Sequence, residues 1–133
     1  MTTIDGFVKI PSFNVEYLLV AVAHQPVIAS LKVGEIFQNC KGCGIYEGED
    51  DALEKTNDSY FWHTVVIRGY GEENGQKYFD IQNSWGMSWG NNGRMKVACG
   101  LSDEKGINRL YMCPMYPIFY GGWTIFDHRM VSL

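Results

Sequence analysis

The segments HTVVIRGYG, residues 63–71, and NSWGMSWG, residues 83–90, decide the fold. The first segment is rich in β-branched residues, which favour strands. It runs into the turn-forming residues GEENG at 71–75, and residues 77–82 again read as a strand. Together these features predict a β-hairpin whose two open ends carry a histidine and an asparagine.

The expected pairing of this hairpin brings His63 close to Asn83. If Tyr70 lies opposite Gln76 or Lys77, then His63 lies opposite Asn83 or its neighbour in the chain. Directly opposed residues share one face of a sheet, with Cβ atoms about 4.5–5.5 Å apart. A shift of one residue would place the two side chains on opposite faces, so the register matters.

A histidine beside an asparagine has a chemical use. The asparagine oxygen accepts a hydrogen bond from one ring N–H, which fixes the tautomer and the orientation of the imidazole. The other ring nitrogen can then take a proton from a thiol nucleophile. His63 and Asn83 are therefore candidate catalytic residues, and we expect Trp85 and Trp89 to cover the pair and exclude water.

The remaining pattern predicts an α+β fold, mainly antiparallel β, with a small β-barrel-like or curved sheet and one N-terminal amphipathic helix. Apolar residues at helical spacing run from Val15 to Ala23, with Ser12 or Asn14 as the cap and Pro26 as the stop. Other predicted elements are an extended segment at 4–11, strands at 27–33, 94–98 and 111–119, turns at 34–48 and an acidic loop at 49–59.

Composition excludes several classes of function. A chain of 133 residues is the size of one domain. Its net charge of −4 and the lack of a basic patch argue against nucleic acid as a partner. No apolar segment reaches the roughly 18 residues needed to span a bilayer. The first residues lack the features of a secretory signal, so the sequence as it stands predicts a cytoplasmic location.

The four cysteines are Cys40, Cys43, Cys99 and Cys113. The first two have the C-x-x-C spacing of metal knuckles and redox motifs, but a zinc site needs two further ligands and no second pair is present. The sequence therefore predicts no metal and no cofactor. In a cytosolic chain, free thiols are the favoured state.

The two segments that decide the fold resemble the motifs of papain-like cysteine peptidases. In that family a histidine precedes a β-run ending in Gly-Tyr-Gly, and Asn-Ser-Trp-Gly-x-x-Trp-Gly follows. Other segments similar to the family lie at 4–7, 25–27, 44–46 and 101–117. The resemblance implies that residues 1–117 form the right-hand, β-barrel-like domain and that residues 118–133 are a non-family tail. It also implies that His63 is the general base, that Asn83 orients it and that Trp85 shields both.

The chain departs from the family in several places. The family's nucleophilic cysteine, in a motif close to CGSCW, and its oxyanion-hole glutamine belong to the other, helical domain, and no such motif occurs here. Trp62 stands where family members often have an acidic residue, and Thr64 where they have a small one. Both cysteines of the family disulfide in this domain are missing, which fits a reducing compartment.

These features predict a homologue of the C-terminal half of a papain-like peptidase that is inactive alone, because losing a triad nucleophile costs on the order of 10⁶ in turnover. Two alternatives stay open: a non-catalytic, regulatory binding module, and a half-enzyme activated by a separate helical-domain chain. In the family, the helical domain covers the face that bears His63 and Trp85. We therefore expect a protein or peptide partner, or a second copy, to bind that face. Relatives usually work in vacuoles, in lysosomes or outside the cell.

Overall fold

A computed structural model describes residues 5–48, 61–99, 110–111 and 113–118. The predicted acidic loop at 49–59 lies outside these residues, and so does almost all of the predicted tail at 118–133, whose boundary therefore stays a prediction. Neither helix in the described ranges is long and apolar enough to cross a membrane. The elements in chain order are β1 (Gly6–Lys9), α1 (Val15–His24), β2 (Val27–Val33), α2 (Glu35–Gln38), β3 (Phe61–Glu73), β4 (Gln76–Gln82), β5 (Arg94–Ala98) and β6 (Met115–Ile118).

The six strands form one antiparallel sheet in the order β1-β6-β2-β3-β4-β5. This confirms the predicted α+β class with mainly antiparallel strands. The sheet is open, because β1 and β5 lie at its two ends and do not pair with each other. The outer edge of β5 is covered by Tyr46, whose N–H donates to the Lys96 carbonyl at 2.7 Å and whose carbonyl accepts from Ala98 N–H at 2.9 Å.

Helix α1 begins where the pattern predicts. The side-chain oxygen of Asn14 accepts a hydrogen bond from Tyr17 N–H at 2.9 Å, so Asn14 is the cap rather than Ser12. Most of the predicted apolar stripe packs into the same core as the sheet, and Leu18 and Val22 are buried there. Ala23, the last residue of that stripe, is exposed, and Ala21 is buried instead. A second, four-residue helix, α2, lies in the segment for which only turns were predicted. It is too short for helical periodicity to reveal it.

The core lies on one face of the sheet. Strand β2 alternates between buried and more exposed side chains, as its sequence predicts. Its buried residues meet those of the neighbouring strands and of α1 in one apolar cluster. The largest fully buried side chains of this cluster are Tyr111, Tyr116, Phe37, Phe79, Leu18, Leu31, Ile67 and Ile81.

The hairpin of β3 and β4 forms as predicted, but its register differs. A two-residue turn at Asn74 and Gly75, with φ of 50° and 80°, connects the strands, so Tyr70 lies opposite Phe79 instead of Gln76 or Lys77. An irregularity between Ile67 and Gly69 then shifts the ladder by one residue.

The ladder ends at Val66 opposite Gln82, so the prediction that His63 and Asn83 are directly opposed partners is wrong. At this end, paired residue numbers add up to 148, whereas an opposed His63 and Asn83 would add up to 146. The difference is two residues, and a shift of two keeps the same side chains on the same face. His63 and Asn83 therefore still point to one side of the sheet.

Candidate active site

His63 lies near the start of β3, at the edge of the buried core. Its partner across the ladder is Leu31 of β2, which is fully buried. Because opposed residues share a face, the imidazole lies on the core face of the sheet, next to the point where that face opens to solvent. The ring is accordingly half-buried. This position holds the imidazole against the core and leaves one side of it accessible.

Asn83 follows β4 and holds the histidine ring. Its backbone N–H donates to the Gly93 carbonyl at 3.0 Å, which anchors the residue at the end of the strand. Its side-chain Oδ1 lies 2.7 Å from Nε2 of His63 and also accepts a hydrogen bond from Ser84 N–H at 2.7 Å. An amide oxygen only accepts, so Nε2 carries the proton in the neutral ring. Nδ1 is then the nitrogen that can take up a proton.

The side-chain nitrogen of Asn83, Nδ2, has no hydrogen-bond partner in the described part of the chain. Asn83 is 7% exposed, and its Nδ2 is buried without a hydrogen bond. The side-chain amide is therefore held through Oδ1, which accepts two hydrogen bonds and fixes the orientation of His63.

Trp85 covers the pair. Its ring stacks on the imidazole of His63 with centroids 4.4 Å apart and an interplanar angle of 25°. The stacked indole blocks water from one face of the ring, as the sequence led us to expect. The ring centroid of Phe61 lies 6.4 Å from that of His63 and 6.4 Å from that of Trp85. Two aromatic rings, those of Trp85 and Phe61, therefore contact the imidazole, and the sequence did not indicate Phe61.

Trp89 packs against Trp85 and so supports the ring that stacks on His63. Its ring meets that of Trp85 edge-on at 5.8 Å, and it packs against Phe37 at 5.0 Å. Its Nε1–H donates to the Phe37 carbonyl at 2.8 Å. Phe37, from α2, also meets Trp85 at 5.8 Å, so it supports both tryptophans. The sequence does not indicate Phe37, because a single apolar residue in a glycine-rich segment gives no periodic signal.

The cysteines differ from their predicted state. Cys40 and Cys43 form a disulfide, with Cα atoms 6.0 Å apart, so the prediction that they are free thiols is wrong. The structure brings the two residues together because both lie in one tight loop, and spacing alone did not reveal it. Cys99 and Cys113 are free. In the described residues, no group of three or more His, Cys, Asp or Glu is placed to hold a metal ion.

Neither free thiol is placed beside His63. Cys99 N–H donates to the Lys77 carbonyl, near the turn of the hairpin. Five residues of β4 separate Lys77 from the end of that strand, which corresponds to about 17 Å. Cys113 precedes β6, and β2 lies between β6 and β3 in the sheet, so those two strands are about 10 Å apart.

The two free thiols should differ strongly in reactivity. Burial raises the pKa of Cys99, and hydrogen bonding to Tyr111 and the charge of Lys77 only partly oppose this. A raised pKa means less thiolate, and the thiolate is the nucleophile. With iodoacetamide at about pH 8, we expect Cys113 to be alkylated on the order of 100-fold faster than Cys99. Mass spectrometry of timed samples measures both rates, and unfolding in urea is the control that should equalise them. Equal rates in the folded protein would contradict the burial of Cys99.

Comparison with known proteins places this arrangement in a family. Residues 1–115 match the papain family cysteine proteases. Cysteine proteinase RD21A of Arabidopsis thaliana is 34% identical over 121 residues, which is 91% of this chain and 25% of that protein. Fruit bromelain of Ananas comosus is 31% identical over 130 residues, which is 97% of this chain and 35% of that protein.

Solved structures agree with these relatives. The bromelain protease from Ananas comosus in complex with the E64 inhibitor superimposes with a TM-score of 0.75 at 30% identity, over 88% of this chain and 51% of that one. A recombinant stem bromelain precursor superimposes with a TM-score of 0.77 at 29% identity, over 89% of this chain and 37% of that one. This chain thus spans only 25% and 35% of the two curated relatives named above. The match of most of its residues nevertheless shows that the chain belongs to the papain family of cysteine proteases.

Proposed function

We propose that this chain supplies the histidine–asparagine half of a papain-type active site and hydrolyses peptide bonds only when a thiol-bearing domain completes that site. The single observation that carries the proposal is the 2.7 Å contact between Nε2 of His63 and Oδ1 of Asn83. This contact fixes the tautomer that a general base needs, before any substrate or second domain is present.

The chemistry assigned to His63 begins at Nδ1. When a cysteine thiol of the completing domain approaches, Nδ1 takes its proton, and the thiolate attacks the carbonyl carbon of the peptide. The imidazolium keeps its Nε2–H bond to Asn83, and Nδ1–H later returns the proton to the leaving amine. Trp85, stacked on the ring, limits the access of water to this hydrogen bond.

We also propose that the chain is inactive by itself. The sequence holds no motif like the family's cysteine segment. Cys40 and Cys43 are bonded to each other, and the sheet geometry places both free thiols away from His63. Since removing the nucleophile of a triad costs on the order of 10⁶ in turnover, a base without a thiol has nothing to activate.

A second candidate function is binding without catalysis. On the face of β3 that carries His63, Phe61 is 41% exposed and lies beside the half-buried ring of Trp85. Exposed aromatic groups are typical of partner surfaces, and aromatic residues dominate binding energy at such surfaces. A protein or peptide that covers these side chains, or a second copy of the chain, would fit this role. The two candidates differ in whether binding makes His63 reactive.

Hydrolysis of a fluorogenic dipeptide amide tests the proposal. At about pH 5.5 to 7, with and without a reducing agent, we expect no turnover by the chain alone, because it brings no thiol to His63. We also expect no rapid labelling by a thiol-directed epoxide. The matched control is His63→Ala, which should behave like the unaltered chain. Turnover that His63→Ala removes would overturn the proposal, because it would show that one of the chain's own cysteines reaches the histidine.

A further inference from the structure

The Cys40–Cys43 disulfide lies in a surface loop behind the aromatic cover of His63. Its two cysteines are unequally exposed, since Cys40 is 7% exposed whereas Cys43 is exposed. An open cavity of about 620 Å³ borders both cysteines and carries Glu35, Lys41 and Glu47 on its walls. A second cavity of about 330 Å³ also reaches Cys43. Cys43 is therefore the more accessible residue of the pair.

The disulfide loop is attached to the segment that carries Trp89. Gly90 N–H donates to the Cys40 carbonyl at 2.8 Å, and Gly42 N–H donates to the Gly90 carbonyl at 2.8 Å. Gly90 has φ of 60°, and a side chain there would collide with the Arg94 carbonyl, so the backbone of this segment is closely packed. The loop that the disulfide closes thus holds Gly90 from both sides.

These contacts connect the disulfide to His63 through four steps. The loop holds Gly90, which follows Trp89 in the chain. Trp89 meets Trp85 edge-on at 5.8 Å, and Trp85 stacks on His63 at 4.4 Å. Both backbone hydrogen bonds to Gly90 come from residues of the loop that the disulfide closes.

We propose that Cys40–Cys43 is a thiol–disulfide exchange site, attacked at Cys43 by a dithiol, and that its reduction loosens the Trp89–Gly90 segment. The thiolate of the dithiol attacks the Cys43 sulfur, the bond between the two protein sulfurs breaks, and Cys40 leaves as a thiolate that takes up a proton. The second thiol of the reagent then attacks the mixed disulfide. The reagent is oxidised to its cyclic disulfide, and both cysteines end as thiols, a transfer of two electrons and two protons.

A dithiol is the fitting reagent because Cys40 stays close to Cys43 after the first step. With a monothiol, the Cys40 thiolate can attack the mixed disulfide and close the loop again. With a dithiol, the second thiol of the reagent competes with that reversal. The site goes beyond the proposed peptidase role, and its test does not depend on catalysis.

The first experiment counts thiols and locates the attack. Alkylation of the unfolded chain without reductant should give two adducts, at Cys99 and Cys113, and alkylation after dithiothreitol should give four. A brief exposure to glutathione, followed by acid quench, should give a mixed disulfide at Cys43. Trypsin cleaves after Lys41 and so separates the two cysteines into different peptides. Four adducts without reductant, or glutathione on Cys40 instead of Cys43, would overturn the proposal.

The second experiment measures the structural consequence. In the intact chain, dithiothreitol should speed hydrogen exchange at the Gly42 and Gly90 amides by about tenfold or more, because both amides lose their held acceptors. The Cys99 amide, bonded to Lys77 near the far end of the hairpin, should change by less than about twofold. Cys113→Ser is the control variant and should respond like the unaltered chain, while Cys43→Ser should exchange fast without reductant. Equal exchange in the oxidised and reduced chains would contradict the coupling, whatever the variants do.

Discussion

Joining this chain to a thiol-bearing papain-family domain should create a peptidase, and His63→Ala should then reduce its kcat/KM by a factor on the order of 10⁴ to 10⁶. A domain that carries the family's cysteine motif, close to CGSCW, is the one to place before residue 1. The large effect is expected because, in the proposed mechanism, His63 is the group that removes the thiol proton. Without it, the nucleophile stays a thiol over most of the usable pH range.

The control for this experiment is a second histidine. His24 ends α1, before β2 begins, whereas His63 lies opposite Leu31, near the other end of β2. His24→Ala in the same chimera should therefore keep activity within about twofold. Hydrolysis of a fluorogenic dipeptide amide gives kcat/KM, and thiol-directed epoxide labelling shows whether the thiol is activated. A folded chimera that is not labelled, or one in which His63→Ala remains active, would rule out the assigned role.

Trp89→Ala should have the largest effect on stability, lowering the free energy of unfolding by about 3–5 kcal/mol. Trp89 is 5% exposed and fills the space between Phe37 and Trp85. Truncation would leave a cavity there and would also remove the shorter of two hydrogen bonds to the Phe37 carbonyl, the other coming from Cys40 N–H at 3.4 Å. Urea unfolding followed by circular dichroism measures the change without relying on tryptophan fluorescence.

Two matched variants separate the effect of the cavity from the effect of the lost hydrogen bond. Trp89→Phe keeps most of the ring but removes the N–H, so it should cost about 1–3 kcal/mol. Trp62→Ala removes an indole of the same size that is half exposed, and it should cost less than about 1 kcal/mol. If Trp62→Ala destabilised the chain as much as Trp89→Ala, the assignment of Trp89 as the internal support of the site would be wrong.

The sequence predicts the contact between His63 and Asn83 but not the strand register that produces it. The residues GEENG at 71–75 indicate a turn without locating its two central residues, and no residue indicates the irregularity between Ile67 and Gly69. Together these features shift the ladder by two residues from the predicted register, which preserves the face of each side chain. Bulges depend on the strands that flank a hairpin, so the hairpin sequence alone does not locate them.

Most of the local elements, though not the short helix α2, and the family follow from the amino-acid sequence. Helix α1 and strand β2 follow from spacings within a few residues, and the motifs at 63–71 and 83–90 identify the histidine and the asparagine. The tertiary structure alone decided what surrounds that pair: the register, the role of Phe37, the support of Trp85 by Trp89, and the disulfide that holds Gly90. These contacts join residues far apart in the chain. Their geometry depends on how whole elements pack, which no local pattern specifies.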